Sequence, residues 1–414
     1  MTERTTCAVI GGGPAGMVLG LLLARAGVEV TVLEKHGDFL RDFRGDTVHP
    51  STLQLLDELG LGERFAALPQ SRMERIAFPV DDERDVVIGD LRRLRRLGVR
   101  HPYIAIAPQW DFLNLLAEAG KDEPAFTLRM NTEVTSLIQD GGRVRGVRYR
   151  TADGETGSLE ADVTVACDGR WSLARREAGL RPKEFPVPID VWWFRLPRAD
   201  GENSGTLTPR MRRGRFAIVI PRKGYFQIAY VGRKGTDRQL RARGLDEFRH
   251  DVAEVLPALA DRTAAVESLD DVKHLDVRLN RLRRWHVDGL LCIGDAAHAM
   301  SPIGGVGVNL AVQDAVAAAT LLAGPLRRGA AGPRVLAAVR RRRLLPTVLA
   351  QLLQRILHAT VAAPVVDGRR AGPPKPMVTL MSRVPQLSLI PGYLVGVGVR
   401  PEHAPDFARR PQSR

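Results

Sequence analysis

The opening stretch limits the possible folds more than any other part of the chain. Thr6 to Ile10 reads T-C-A-V-I, a short β-prone run, and it stops on G-G-G-P-A-G, Gly11 to Gly16. The apolar run Met17 to Ala26 follows, then V-E-V-T-V-L from Val28 to Leu33, then Glu34. Strand, glycine turn, helix, strand and acid in that order make a dinucleotide-binding unit. Gly11 allows the tight turn out of the strand. Gly13 has no side chain, so a pyrophosphate can approach the backbone. Gly16 lets the helix pack close to the sheet. Pro14 suits the first helical position, where its missing N–H is no loss. The helix N-terminus then offers free N–H groups and a positive dipole end to phosphates. Glu34, 18 residues after Gly16, stands where it can accept hydrogen bonds from a ribose.

With 414 residues the chain is long enough for two or three domains and a large core. Apolar residues at 44% and charged residues at 26% place it among ordinary globular proteins. No basic, then apolar, then small-residue leader precedes the first strand, so export is not expected and a cytoplasmic setting is. The apolar stretches read as too short or too broken by Gly and Pro to span a bilayer. Cys7, Cys167 and Cys292 form no C-x-x-C pair and read as reduced core residues. The net charge of +14 gathers partly in Arg92, Arg93, Arg95 and Arg96 and in Arg340 to Arg343. These clusters are not interleaved with aromatics and belong to no reading helix. They suit attraction of anionic cofactors and substrates better than nucleic acid. No metal-ligand spacing is visible, and no metal is expected.

Further along, Pro50 to Leu59 and residues 110 to 119 have helical patterns, each followed by a glycine, Gly60 and Gly120. Met73 to Ile88 reads as strands around a polar turn at Asp81 to Arg84, and residues 144 to 163 as a hairpin. Composition shifts near residue 181. V-W-W-F from Val191 to Phe194, then Phe216 to Ile220 and Tyr225 to Val231, suggest a separate antiparallel sheet. Residues 272 to 282 read as a charged strand or connection. Val306 to Leu322 is helical and alanine-rich. Residues 333 to 358 read as one or two helices with a basic face, interrupted at Pro346. The tail reads as polar and rich in Pro and Arg. The fold class is therefore α/β: a Rossmann-like dinucleotide-binding domain from 1–74, 103–180 and 271–333, an inserted antiparallel-sheet substrate domain from 75–102 and 181–270, and C-terminal helices and tail from 334–414.

Two later motifs sharpen the reading. A strand-like run ends on Cys167-Asp168-Gly169. Another, Gly289 to Ile293, feeds Gly294-Asp295 and then the turn Gly304, Gly305, Gly307 ahead of a helix. A carboxylate at a strand end can bind polyol hydroxyls, and N–H groups at the following helix start can face developing negative charge. That arrangement fits a flavin better than NAD alone. Taken together, G-G-G-P-A-G with Glu34, C-D-G-R-W-S-L-A-R at 167–175, and G-D-A-A-H at 294–298 continuing through Pro302, Gly305, Gly307 and Asn309 resemble the single-component, FAD-dependent aromatic monooxygenases of the para-hydroxybenzoate hydroxylase type.

The resemblance implies FAD as cofactor, NADPH or NADH as transient electron donor, and one oxygen atom from O2 passed to an aromatic or polycyclic small molecule through a flavin C4a-hydroperoxide. Reduction, dehydrogenation and halogenation on the same fold stay open. The implied FAD contacts are Gly11, Gly13, Pro14, Ala15 and Gly16 at the pyrophosphate, Glu34 and Lys35 at the adenosine end, and Arg44 and Gln109 along the cofactor. Gly294 and Asp295 would meet the ribityl chain, and Pro302, Gly305, Gly307, Val308 and Asn309 the flavin side. Asp168 and Gly169, with Arg175 in support, would serve both FAD and the nicotinamide cofactor. After residue 360 there is too little sequence for the thioredoxin-like domain that many relatives carry. The run at 191–197 does not match the halogenase W-x-W-x-I-P motif, because Phe194 stands at the second tryptophan. Trp192, Trp193, Phe216 and Tyr225 are candidate substrate contacts in a sheet walling the pocket. His49, His101 and His298 are the candidate bases for deprotonating a phenol. The expected assembly is a monomer or homodimer with neither membrane nor nucleic acid as partner, and natural-product tailoring is the expected setting.

Overall fold

A computed structural model of the chain describes residues 3–40, 47–79, 85–199, 201–202, 206–207, 209–212 and 214–411. Strand β1 (Glu3–Ile10) turns through the glycines into α1 (Pro14–Arg25) and returns as β2 (Val30–Leu33). The helix α2 (Gln109–Lys121) leads to β3 (Phe126–Arg129). It runs through Gly120 instead of stopping there; a side chain at that glycine would strike the Phe126 ring at 2.5 Å. The hairpin Thr132–Asp140 and Arg143–Thr151 then feeds β4 (Thr156–Ala166).

The second sheet is antiparallel, built on β5 (Ile189–Pro197), β6 (Arg215–Pro221) and β7 (Tyr225–Arg233). Side chains alternate strictly across it. Trp192, Phe194, Ala217, Ile228 and Tyr230 pack beneath the helix Leu245–Val255. Val191, Trp193, Phe216, Ile218, Ala229 and Val231 face the other way, into a cavity. Lys273–Leu275, within the stretch read as a charged strand or connection, is a strand that pairs with β5 and extends this sheet beyond the expected boundary at 271. The hairpin Arg75–Pro79 and Asp85–Asp90 borders the same cavity, and the expected turn at 81–84 lies outside the described residues.

The chain then re-enters the first sheet as β8 (Leu290–Cys292). Its parallel order is β8-β4-β1-β2-β3, with β1 in the middle. Helix α3 (Val306–Arg327) packs on α1, and α4 (Pro333–Leu357) packs on α3. α4 passes Pro346 without a break, correcting the expected interruption. Its basic run is not all surface either. Arg343 is 1% exposed and joins Asp314 at 3.0 Å and Glu402 at 3.4 Å. Two short helices, α5 (Lys375–Arg383) and α6 (Leu389–Gly396), lie within the segment 334–414 read as C-terminal helices and tail. Two helical spans, Ile303–Arg327 and Pro333–Val366, are long and apolar enough to cross a bilayer, contrary to the sequence reading. The first is 78% buried as the central core helix, whereas the second is only 39% buried.

Candidate functional site

The glycine turn after β1 is shaped by contacts that exclude side chains. Gly11 has φ +99°, and a Cβ there would lie 2.7 Å from the Cys167 carbonyl oxygen. A Cβ on Gly16 would lie 2.0 Å from the Gly11 carbonyl oxygen, so Gly16 serves packing and does not face the cavity. Gly13 differs: a Cβ there meets nothing within 4 Å. It borders an open cradle at the N-terminus of α1, where Pro14 occupies the first turn. Glu34 is held at the end of β2 by the Gly12 N–H donating to Oε2 at 2.8 Å and the His36 N–H donating to Oε1 at 3.1 Å.

The second and third motifs arrive opposite this turn because β4 and β8 lie side by side in the sheet. Cys167, Asp168 and Gly169 follow β4, and Gly294-Asp295 follow β8; all but Gly294 line the cavity. Burial raises the Asp168 carboxyl above its usual range, against its bond from the Ala174 N–H at 3.2 Å. Asp295 stands 3.9 Å from Arg170. Gly294, at φ +58°, is wedged against Ala311 and Ala15, so it too is a packing glycine. Gly305 caps the start of α3 in a left-handed conformation. The first turn of that helix, with Gly307 and Val308, points its positive end into the cavity. Lys35, Gln109 and Pro302 complete this end.

Several expected contacts are supports at one remove. Arg175 donates to the carbonyls of Ala296 and Arg170, tying the two aspartate turns together, and lies outside the cavity lining. Asn309 accepts from Ser51 and Thr52 at 2.9 and 2.6 Å, which fastens α3 to the helix Pro50–Glu58. Arg44 lies outside the described residues.

None of the three histidines lines the cavity. His298 is 1% exposed and bonded to Asp314 at 2.5 Å, within the Asp314–Arg343–Glu402 charge chain, which corrects its reading as a candidate base. His101 pairs with Asp57 at 2.6 Å. His49 is fully buried, its Nδ1 2.8 Å from the Val395 carbonyl and its Nε2 3.0 Å from that of Gly305. Burial lowers its pKa to about 4. It is therefore neutral near pH 7 and clamps α6 against the glycine turn ahead of α3.

The far end of the cavity, which encloses about 1420 Å³ in all, is apolar. Trp193 and Phe216 line it; Trp192 and Tyr225 do not. Trp192 faces away, with its indole N–H donating to Asp237 at 2.7 Å, because neighbours on a strand point to opposite faces. Tyr225 lies beyond the edge, beneath the Arg195 guanidinium at 5.0 Å. Met377, Pro391 and Val395 of the C-terminal helices also line this end, as do Arg222 and Gln227. Sequence reasoning missed all five. The α5 pattern was in principle readable as an amphipathic helix. Burial pushes the Cys7 thiol up to about 12 and the Cys167 and Cys292 thiols upward as well, so none is a ready nucleophile. Among the described residues no group of three or more His, Cys, Asp or Glu could hold a metal.

The model of the family described as "FAD binding domain" matches residues 4–354. The chain belongs to that family. It is 36% identical to a 6-methylpretetramide 4-monooxygenase from Streptomyces rimosus, over 82% of this chain and 80% of the relative. It is 27% identical to a protoasukamycin 4-monooxygenase from Streptomyces nodosus subsp. asukaensis, over 79% and 81%. Its fold matches OxyS, an anhydrotetracycline hydroxylase from Streptomyces rimosus, with a TM-score of 0.74 and 23% identity, over 97% of this chain and 77% of that one. This is an FAD-dependent monooxygenase. The open cradle at Gly13 and the carboxylates at its two ends fit an extended FAD.

Proposed function

We propose that this flavoprotein hydroxylates a flat aromatic or polycyclic small molecule, as a tailoring step on a natural product. One observation carries the reading. The dinucleotide cradle opens without a partition into the apolar end of the same cavity, bounded by β5, β6 and β7. The names of two relatives, a 6-methylpretetramide 4-monooxygenase and a protoasukamycin 4-monooxygenase, support it.

In this reading Gly13 and the first turn of α1 hold the pyrophosphate, Glu34 the adenosine ribose and Asp295 the ribityl chain. When bound, the flavin supplies electron transfer and activation of O2. The protein's own work is orientation, electrostatics and exclusion of water. The first N–H groups of α3 open on the cavity and would stabilise negative charge on a flavin ring held there. Trp193, Phe216 and Ile218 form a flat apolar wall that sets the substrate plane. Arg222, 3% exposed, donates from Nε and Nη2 to Gln227 at 3.0 and 2.9 Å. That pair places a fixed positive group in the wall, suited to a phenolate or carbonyl oxygen of the substrate. NADPH or NADH is the donor. Trp171, 55% exposed at the cavity edge beneath the Arg278 guanidinium at 4.0 Å, offers it a planar platform.

The test is turnover of the purified, FAD-loaded protein with NADPH, O2 and a panel of polycyclic phenols. The expected product is one oxygen atom heavier, with label from isotopic O2. Oxidation of NADPH with every oxygen atom going to peroxide, across the whole panel, overturns the hydroxylase reading.

A further inference from the structure

Helix α4 carries a surface stripe that neither the cavity nor the core accounts for. Leu345, Leu349, Leu352 and Ile356 recur at helical spacing and are 42%, 37%, 45% and 49% exposed. They cover about 16 Å of one helix face. Arg341 and Arg334 continue the same stripe toward the N-terminus, and both are exposed. The flank of the helix next to the stripe sends Leu353 and Leu357 to the cavity wall. α5 and α6 repeat the arrangement. Met377 and Pro391 turn to the cavity, while Leu380 and Ile390 are 49% and 57% exposed. An apolar surface of this extent marks an interaction site.

Charge identifies the occupant. Residues 333–400 hold eleven Lys and Arg against a single acid, Asp367, a net of +10 out of +14 for the whole chain. Asp367 is already paired with Arg369 at 2.7 Å. Arg343 and Arg342 are engaged with Glu402, and Arg343 with Asp314 as well; Arg341 and Arg355 are exposed on α4 beside the stripe, and Arg370, Lys375 and Arg383 are exposed further along the chain. A second copy meeting this face with its own would set like charges together, which opposes a symmetric pairing. An exposed apolar helix stripe with basic residues beside it is the form of a helix lying in a lipid interface.

We propose that the exposed stripe of α4 docks on an anionic lipid surface. The apolar side chains enter the headgroup region, and Arg334, Arg341 and Arg355 meet the lipid phosphates. Docking would bring the helices that wall the cavity to the phase in which a lipophilic polycyclic substrate collects. This departs from the sequence expectation of no membrane partner.

The experiment uses the whole FAD-loaded protein and sedimentation with two vesicle types, phosphatidylcholine alone and phosphatidylcholine mixed with phosphatidylglycerol. A Leu349→Ser, Leu352→Ser, Ile356→Ser variant runs in parallel, with flavin absorbance and NADPH oxidation recorded to show that the site is intact. The parent is expected to bind the anionic vesicles, and the variant to bind them at least about tenfold less with normal flavin content. No binding of the parent to anionic vesicles overturns the proposal. So does undiminished binding by the variant, since it assigns the affinity to charge alone, as an acidic protein partner would require. So does a concentration-dependent dimer that the variant dissolves, since a second copy would then cover the face. If the variant loses its flavin, single Leu352→Ser, read the same way, decides the matter.

Discussion

The two ends of the cavity recognise their occupants by different means. On the proposed reading the cofactor end is made largely of backbone: the turn at Gly11–Gly13, the start of α1 and the start of α3, with the carboxylates of Glu34, Asp168 and Asp295 beside it. The substrate end is made of side chains from β5, β6, β7 and the C-terminal helices. Backbone recognition leaves little freedom, because the chain must pass where no Cβ fits. Side-chain recognition leaves much, because any apolar residue of suitable volume can fill a wall. The first end should therefore fail abruptly on substitution and the second should change its preference gradually.

The largest effect is expected at the backbone end. Gly16→Ala would place a methyl carbon 2.0 Å from the Gly11 carbonyl oxygen, a clash no side-chain movement relieves. We expect a loss of about 4 kcal/mol or more, read as little soluble protein and no retained flavin colour. Gly13→Ala, where the added carbon meets no protein atom, should fold normally and lose flavin alone. If both variants behaved alike, the contrast between packing glycine and cradle glycine would be broken.

Trp192→Ala comes next, at about 3–5 kcal/mol, because the side chain is fully buried under the helix Leu245–Val255. Thermal unfolding would show the loss. Turnover of the remaining folded protein should keep its substrate preference, since Trp192 does not line the cavity.

What could be read from sequence follows the same division. The turn at Gly11–Gly16, Glu34, the Asp168 turn and Asp295 announce themselves because each is a local requirement on a few consecutive residues. Their convergence followed from strand order, β4 and β8 being neighbours. The substrate end was legible only in outline. The V-W-W-F run read as strand but gave no parity, so both tryptophans were candidates when alternation permits one. His298 sat inside a motif, and nothing local shows that its partner is Asp314, sixteen residues on, or that Arg343 and Glu402 complete the chain of charges. Arg222, Gln227 and the C-terminal helices reach the cavity through long-range packing, which no local pattern encodes.

His49 tests the joint between the two ends. A neutral ring has one N–H to share between the carbonyls of Val395 and Gly305. Its pKa is lowered by burial from 6.5 to about 4 in the folded protein, so folding favours the uncharged form. That contribution is complete above about 6.5 and is lost as pH falls toward about 4, up to about 3 kcal/mol. Stability measured across that window should fall steeply, and His49→Gln should flatten the fall. An unchanged slope would show that other groups govern acid unfolding. Asp295→Ala is expected to be milder, weakening FAD retention by about 1.5–3 kcal/mol through one lost charged hydrogen bond. Full flavin occupancy of that variant at limiting FAD would remove Asp295 from the cofactor end.

The smallest effect is the most informative about the substrate end. Trp193 borders the cavity, and its indole N–H has no hydrogen-bond partner among the described residues. Removing the side chain therefore breaks no hydrogen bond seen there, unlike removal of Trp192, which takes one donor from Asp237 and leaves it Arg241. Trp193→Ala should leave flavin binding unchanged and raise KM for a flat polycyclic substrate about tenfold, or 1–2 kcal/mol, the scale on which an apolar pocket discriminates. A bulkier or more angular substrate should lose less, because the wall has receded on one side of the cavity only. NADPH oxidation should also become less tightly coupled to product, since a loosely held substrate admits water beside the flavin. If KM and coupling stayed fixed across flat and angular substrates while flavin binding collapsed, Trp193 would belong to the cofactor end, and the division of the cavity into a backbone half and a side-chain half would be misplaced by one strand.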